Sequence, residues 1–176
     1  MIWIQIFFFF APVAYIWWFY GVQKSISASY YKLAESANIT FIPKIFGIKR
    51  YTDDSWLFLL FTLGTGLPMW FYALWKPELQ TTTLALIGFS GFFMMNVGVA
   101  AEFKLGKYLN IIHYLSATFA IAFAFVAIWN EQGDFLSPVI FLVSSAALKW
   151  GLKIKNFTWW VEIYAFVFLM IRLAAL

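Results

Sequence analysis

Six long apolar stretches alternate with short polar ones along the chain. Each has close to the roughly 20 residues that an α-helix needs to cross the hydrocarbon core of a bilayer. The pattern therefore predicts an all-α fold, in which residues 1–176 form a single polytopic transmembrane helical bundle. The six predicted spans cover residues 2–20, 56–75, 83–101, 109–129, 136–152 and 158–174.

The fifth stretch decides the number of helices. Its uninterrupted apolar part, residues 135–148, contains one proline and three serines. It reaches spanning length only if Lys149 extends its ammonium group to the membrane interface while its aliphatic stem stays among apolar groups. If it does not span, a bundle of five helices is the alternative.

Composition supports the membrane class. Of the 176 residues, 64% are hydrophobic and 11% are charged, whereas a soluble domain carries about 25% charged residues. A globule of this size has too much surface for its volume to hide so many apolar groups from water. The chain has no cysteine, which excludes disulfides, thiolate metal sites and cysteine nucleophiles.

Basic residues collect on alternate connections between the predicted helices. The first, third and fifth connections hold ten of the twelve Lys and Arg residues. Because Lys and Arg are enriched in cytoplasmic loops, we expect these connections in the cytoplasm and both termini outside, in a plasma (inner) membrane. The ten residues are Lys24, Lys32, Lys44, Lys49, Arg50, Lys104, Lys107, Lys149, Lys153 and Lys155.

Two features suggest contact with the membrane interface. The long first connection, residues 21–55, mixes Ile, Phe and basic residues, which suits a segment lying against anionic lipid; an irregular connector is the alternative. Most tryptophans lie near predicted span ends, where an indole prefers the headgroup level. These are Trp17, Trp18, Trp56, Trp70, Trp75, Trp129, Trp150, Trp159 and Trp160.

Small residues recur at steps of three and four along the third and fourth predicted helices, so each set lies on one helix face. Small side chains let two backbones approach closely, as helices do in lipid. We expect both stripes to pack against neighbouring helices, including against each other. They are Gly88, Gly91, Met95, Gly98 and Glu102, and His113, Ala117, Ala120, Ala124 and Ala127.

Three titratable groups fall near the cytoplasmic ends of predicted helices. Glu102 and His113 end the two stripes, and Glu162 opens the sixth helix at a similar depth. Polar side chains in a membrane usually face protein or water, so we expect these groups to meet at a cavity that opens to the inner leaflet. The alternative is that both glutamates lie in the hydrated interface and balance nearby lysines.

Asn96 and Arg172 are further polar residues within predicted spans. An unpaired amide in hydrocarbon is costly, so we expect Asn96 to hydrogen-bond to another helix and keep it as a ligand-binding candidate. Arg172 lies about 15 Å along the helix from Glu162, too far to pair, and should extend towards the outer interface. Candidate partners of Asn96 are Ser116, Ser144 and Ser145.

Three runs, SISASYY, IIHYLSATFAIAFAFVAIW and WWVEIYAFVFLMIRL, resemble an uncharacterised group of six-helix bacterial integral membrane proteins. In that group a Ser-Ile-Ser-x-Tyr-Tyr motif follows helix one, His-x-x-Ser-Ala opens helix four and a Glu opens the last helix. Residues 32–50 are an addition to that pattern. The group has no assigned activity, so the resemblance implies only a fold and candidate ligand-binding residues. The matching positions are Ser25, Ser27, Tyr30, Tyr31, His113, Ser116, Ala117 and Glu162.

A more distant likeness is to membrane hydrolases of the alkaline-ceramidase type, which hold zinc with three histidines. This chain has one histidine, and a catalytic zinc site needs about three protein ligands. We therefore expect no metal and no cofactor, and we assign no catalytic residue.

Together these features favour a non-enzymatic membrane protein that binds a lipid or a partner helix at a cytoplasmic-leaflet pocket, as a sensor or accessory subunit. One alternative is a membrane-embedded lipid-modifying enzyme that uses His113, Glu102 and the segment 25–31. The other is a small oligomeric transporter or channel. Expected partners are membrane lipids and other membrane subunits or a second copy of the chain, and not nucleic acid.

Overall fold

The computed structural model describes residues 2–22, 26, 55–99 and 107–176, and all regular structure in them is helical. Their six α-helices confirm the predicted all-α class; most of the first connection lies outside the described residues. The helices are α1 (Ile2–Tyr20), α2 (Ser55–Trp70), α3 (Thr81–Val99), α4 (Lys107–Gln132), α5 (Leu136–Ala146) and α6 (Phe157–Ala174).

The α-helical parts of α2 and α5 both end earlier than the predicted spans, and each is followed by a turn of another helix type. Helix α2 contains Pro68, which has no N–H to donate to the preceding turn, and α2 ends at Trp70 and tightens into a 3₁₀ turn at Tyr72–Leu74. Helix α5 instead continues as a π-helical turn, Ala147–Gly151. Helical backbone therefore covers almost the whole predicted fifth stretch.

Two helical segments are long and apolar enough to cross a membrane, Ile111–Gln132 and Phe157–Ala174. Only 39% and 22% of their apolar windows are buried inside the molecule, so most side chains there are at least partly exposed. Three shorter helical segments of the described chain are also apolar: Trp3–Trp18, Thr81–Val97 and Leu136–Gly151.

Five of the helices enclose a common interior. Helices α1 to α4 pack in chain order, and the α3–α4 and α2–α3 interfaces are the most extensive. Helix α6 contacts both α4 and α1 and so closes the ring, while α5 packs against α6. Short connections favour antiparallel neighbours, as between α2 and α3 and between α3 and α4.

Hydrogen bonds identify which helix ends lie together. At one end, which we call the loop-1 end, the Asn156 side chain donates to the carbonyl oxygen of Val22 at 3.1 Å. At the opposite end, the terminal end, the Gln132 side chain donates to the carbonyl oxygen of Ala175 at 3.2 Å. The start of the first connection and the fifth connection thus lie at one end, and the fourth connection and the C-terminus lie at the other.

Of the glycines in the α3 stripe, Gly91 packs against α2 and Gly88 does not. A Cβ atom added at Gly91 would lie 2.5 Å from the carbonyl oxygen of Gly66, whereas one added at Gly88 would meet nothing within 4 Å. A different residue of α3 faces α4: the Ser90 hydroxyl donates to the carbonyl oxygen of Ala120 at 2.6 Å. Both stripe helices therefore pack as expected, but with different faces.

Most of the tryptophans near helix ends point away from the core, with Trp18 85% exposed. Trp159 is the exception: it is 1% exposed and packs in the core cluster that includes Phe9 and Ile16. The prediction of an interfacial position is wrong for Trp159, because its side of α6 faces α1. The side chain of Trp56 lies outside the described part of the structure.

Candidate functional site

An elongated cavity of about 110 Å³ lies inside the ring formed by α1, α2, α3, α4 and α6. Glu162 and Leu173 both line it, and their separation along α6 corresponds to about 16 Å. Its wall is mostly apolar and includes three flexible thioether side chains, Met69, Met94 and Met170. The polar wall residues are Gln5, Thr65, Ser90, His113 and Glu162.

His113 and Glu162, two of the three titratable groups singled out in the sequence, line the same cavity. His113 is 4% exposed, and its Nδ1 lies 3.3 Å from the carbonyl oxygen of Val97. Because a carbonyl oxygen only accepts, this bond requires the proton on Nδ1. The Oε2 atom of Glu162 accepts a hydrogen bond from the backbone N–H of Ile26 at 2.5 Å.

The SISASYY run reaches this site through Ile26, which is 2% exposed and belongs to the same core cluster as Trp159. Its N–H contact with Glu162 connects the segment after α1 with the cavity wall. The remaining predicted site residues of this region and of the α3–α4 connection lie outside the described residues. They are Ser25, Ser27, Tyr30, Tyr31 and Glu102.

Within the described residues, the amide nitrogen of Asn96 bonds to its own helix and not to another one. Its Nδ2 donates to the carbonyl oxygen of Phe92 in the same helix at 3.1 Å, a back-bond that competes with contacts to neighbours. Among its expected partners, the Ser144 hydroxyl contacts the Tyr164 hydroxyl at 2.8 Å instead. Asn96 is also absent from the cavity wall.

Gln5 is a cavity residue that the sequence analysis missed. It is 3% exposed, and its Nε2 donates to the carbonyl oxygen of Thr65 at 3.2 Å. The buried Oε1 atom has no hydrogen-bond partner among the described residues. The available signal was that Gln5 is the only amide in the apolar segment 1–22, since polar groups inside apolar spans often mark sites.

The two hydroxyl groups of the cavity wall are bonded to backbone carbonyl groups. Thr65 donates to Phe61 in its own helix at 2.8 Å, and Ser90 donates to Ala120 of α4 at 2.6 Å. Neither hydroxyl therefore points a proton at a bound molecule. Gln5 and Thr65 lie towards the terminal end, away from His113 and Glu162, so polar groups of the cavity wall occur in both halves of the bundle.

A second polar network joins elements at the terminal end, outside the cavity. The Thr83 hydroxyl donates to Glu131 at 2.7 Å and accepts from Asn130 at 2.9 Å, which links α3 to α4. Arg172 forms an ion pair with Asp134 and donates to Gln132 at 3.0 Å. Arg172 thus lies far from Glu162, as expected, but it is held by protein groups.

Hydrogen bonding perturbs the acid–base chemistry of this network. The Ser137 hydroxyl donates to Asp134 at 2.5 Å, and this bond, with backbone N–H donors and the Arg172 charge, lowers the pKa of Asp134. These contacts tie α4, α5 and α6 together.

No group of three His, Asp or Glu side chains within the described ranges is arranged to hold a metal ion. No family model, no curated protein and no solved structure matches the chain. The chemistry of the cavity wall is therefore the basis on which a function is inferred.

Proposed function

We propose that this protein is a multi-pass integral membrane protein that binds an amphipathic, lipid-like molecule in the cavity. It does so as a sensor or accessory subunit, without transforming the bound molecule. The observation that carries the proposal is the long apolar cavity with polar side chains towards both ends, Gln5 at one and His113 and Glu162 at the other. Mostly apolar pockets with a few placed polar groups are typical ligand sites.

The outward surface supports a membrane setting. Large apolar side chains on several helices are more than half exposed, including Leu142, Val143 and Ile171, and soluble monomers rarely expose large contiguous apolar patches. The basic residues Lys149, Lys153 and Lys155 lie at the loop-1 end, whereas Asp134 lies at the terminal end. This polarity favours a cytoplasmic loop-1 end and external termini.

Binding without catalysis is favoured over lipid modification. A nucleophilic hydroxyl needs a general base within hydrogen-bond reach. The hydroxyl groups of the cavity wall, Thr65 and Ser90, donate instead to backbone carbonyl groups. The backbone N–H of Ile26 donates to Glu162 on the cavity wall, which supports a polar end of the cavity near the start of the first connection.

The test is to fill the cavity and measure the molecules that co-purify with the protein. Ala117→Leu places a larger side chain on the cavity wall, whereas Ala14→Leu makes the same change on an exposed face of α1. We expect native mass spectrometry to show at least a tenfold loss of a bound amphipathic molecule for Ala117→Leu only. Equal occupancy in both variants, or no bound molecule in the wild type, would contradict the proposal.

A further inference from the structure

The polar wall at the terminal half of the cavity lacks one hydrogen-bond donor. The Nε2 atom of Gln5 donates to the carbonyl oxygen of Thr65, and because a carbonyl oxygen accepts only, this bond sets the orientation of the amide. The oxygen is therefore the atom left over, and among the described residues it has no partner although it is buried. Leaving a buried acceptor unpaired costs free energy.

Neighbouring side chains of the wall do not supply the missing donor. The Thr65 hydroxyl donates to the carbonyl oxygen of Phe61, and the Ser90 hydroxyl donates to that of Ala120. Met69 and Met94 also line the cavity and have no donor group. A donor for the Gln5 oxygen would then have to come from a molecule that enters the cavity.

We infer that Gln5 recognises the hydroxyl group of a neutral, single-chain aliphatic alcohol bound along the cavity. This inference rests on the proposed function and adds the chemical class of the ligand and the residue that hydrogen-bonds to it. A neutral donor fits because the acceptor is an uncharged amide, whereas the wall carboxylate, Glu162, lies towards the opposite end. The narrow apolar remainder of the cavity suits one hydrocarbon chain.

Two isomers, octanol and heptyl methyl ether, test this inference. They have the same atoms, but only the alcohol can donate a hydrogen bond. Binding of each is measured by isothermal titration to the full-length wild type in lipid nanodiscs, with empty nanodiscs as the reference for partitioning into lipid. We expect the alcohol to bind about tenfold more tightly, as one hydrogen bond implies.

Matched variants assign the preference to Gln5. Gln5→Leu should bring the alcohol-to-ether ratio close to one, whereas Asn96→Leu, an amide replacement outside the cavity wall, should preserve the wild-type ratio. Should Gln5→Leu fail to fold, the comparison of the two isomers on the wild type still decides the result.

The possible outcomes distinguish a failure of this inference from a failure of the proposed function. Equal binding of the two isomers to the wild type, or an unchanged ratio in folded Gln5→Leu, overturns the role of Gln5 and indicates that water satisfies its oxygen; the cavity then remains a binding site. Binding of neither isomer overturns the proposed function together with this inference.

Discussion

Glu162 connects two distant parts of the chain at the scale of a single residue. Its carboxylate accepts the backbone N–H of Ile26 at 2.5 Å, and the same side chain lines the cavity. A charged acceptor makes this bond roughly twice as strong as a neutral one. The position of the segment after α1 and the shape of the cavity therefore depend on the same side chain.

Glu162→Gln should weaken the hydrogen bond to the Ile26 N–H, because glutamine has the shape of glutamate but no negative charge. We expect the free energy of unfolding to fall by about 1 kcal/mol and hydrogen exchange at the Ile26 amide to accelerate. Glu131→Gln is the control, because Glu131 accepts from Thr83 at the terminal end and should leave exchange at Ile26 unchanged. Equal exchange rates in wild type and Glu162→Gln would show that the bond does not hold the segment.

Asp134 gives the fold a dependence on acid. Its folded pKa is lowered, first by the Ser137 hydroxyl, from an ordinary value of 3.8. The stabilisation is therefore fully present above pH 3.8 and is lost as the pH falls below that value through the folded pKa. Unfolding measured against pH should show this loss for the wild type and not for Asp134→Asn.

Ser137→Ala provides the companion measurement for Asp134. Removal of the hydroxyl that makes the largest contribution should move the folded pKa of Asp134 back towards its ordinary value, as followed by carboxyl NMR titration. An unchanged titration midpoint would mean that Arg172 and the backbone donors alone set the pKa.

At the scale of helices, the α2–α3 contact depends on two glycines. The Cβ of an alanine at Gly91 would lie 2.9 Å from the backbone nitrogen of Trp70 and 2.5 Å from the carbonyl oxygen of Gly66. Backbone atoms cannot rotate aside as side chains do, so the helices must separate. The close approach of α2 and α3 is thus specific to these positions.

Gly91→Ala should lower the free energy of unfolding by roughly 1–3 kcal/mol, as overpacking does. Gly88→Ala is the matched control in the same helix: its Cβ meets nothing within 4 Å, and alanine favours a helix by about 0.5–1 kcal/mol over glycine. Chemical unfolding of both variants measures the difference. A destabilisation of equal size in both would refute the close contact.

The helices could be predicted from the sequence and their neighbours could not. Whether a stretch forms an apolar helix depends on the composition of that stretch alone, which is a local property. Even the fifth stretch was therefore located correctly. The partner of a glycine is a long-range property: Gly88 and Gly91 share a stripe, yet only Gly91 meets α2. Gln5 was missed for the same reason, because its cavity is formed by residues far apart in the chain.

At the scale of the whole molecule, the ring of five helices encloses the cavity, and successive connections of the ring lie at opposite ends of the bundle. The loop-1 end joins Val22 and Asn156, and the terminal end joins Gln132 and Ala175. The excess of basic residues on odd connections was visible in the sequence, and the helix ends pair in the same alternating order. The six-pass thread proposed above has this same alternation, and the cavity's setting in the bilayer depends on it.

Labelling of single cysteines in right-side-out membrane vesicles tests that thread most directly, because the natural chain has no cysteine. Glu78→Cys lies in the connection between α2 and α3, and Lys153→Cys lies at the loop-1 end; both native residues are exposed. With a membrane-impermeant maleimide, we expect Glu78→Cys to react at once and Lys153→Cys to react only after the vesicles are opened. Equal labelling of the two sites in sealed vesicles would contradict the account.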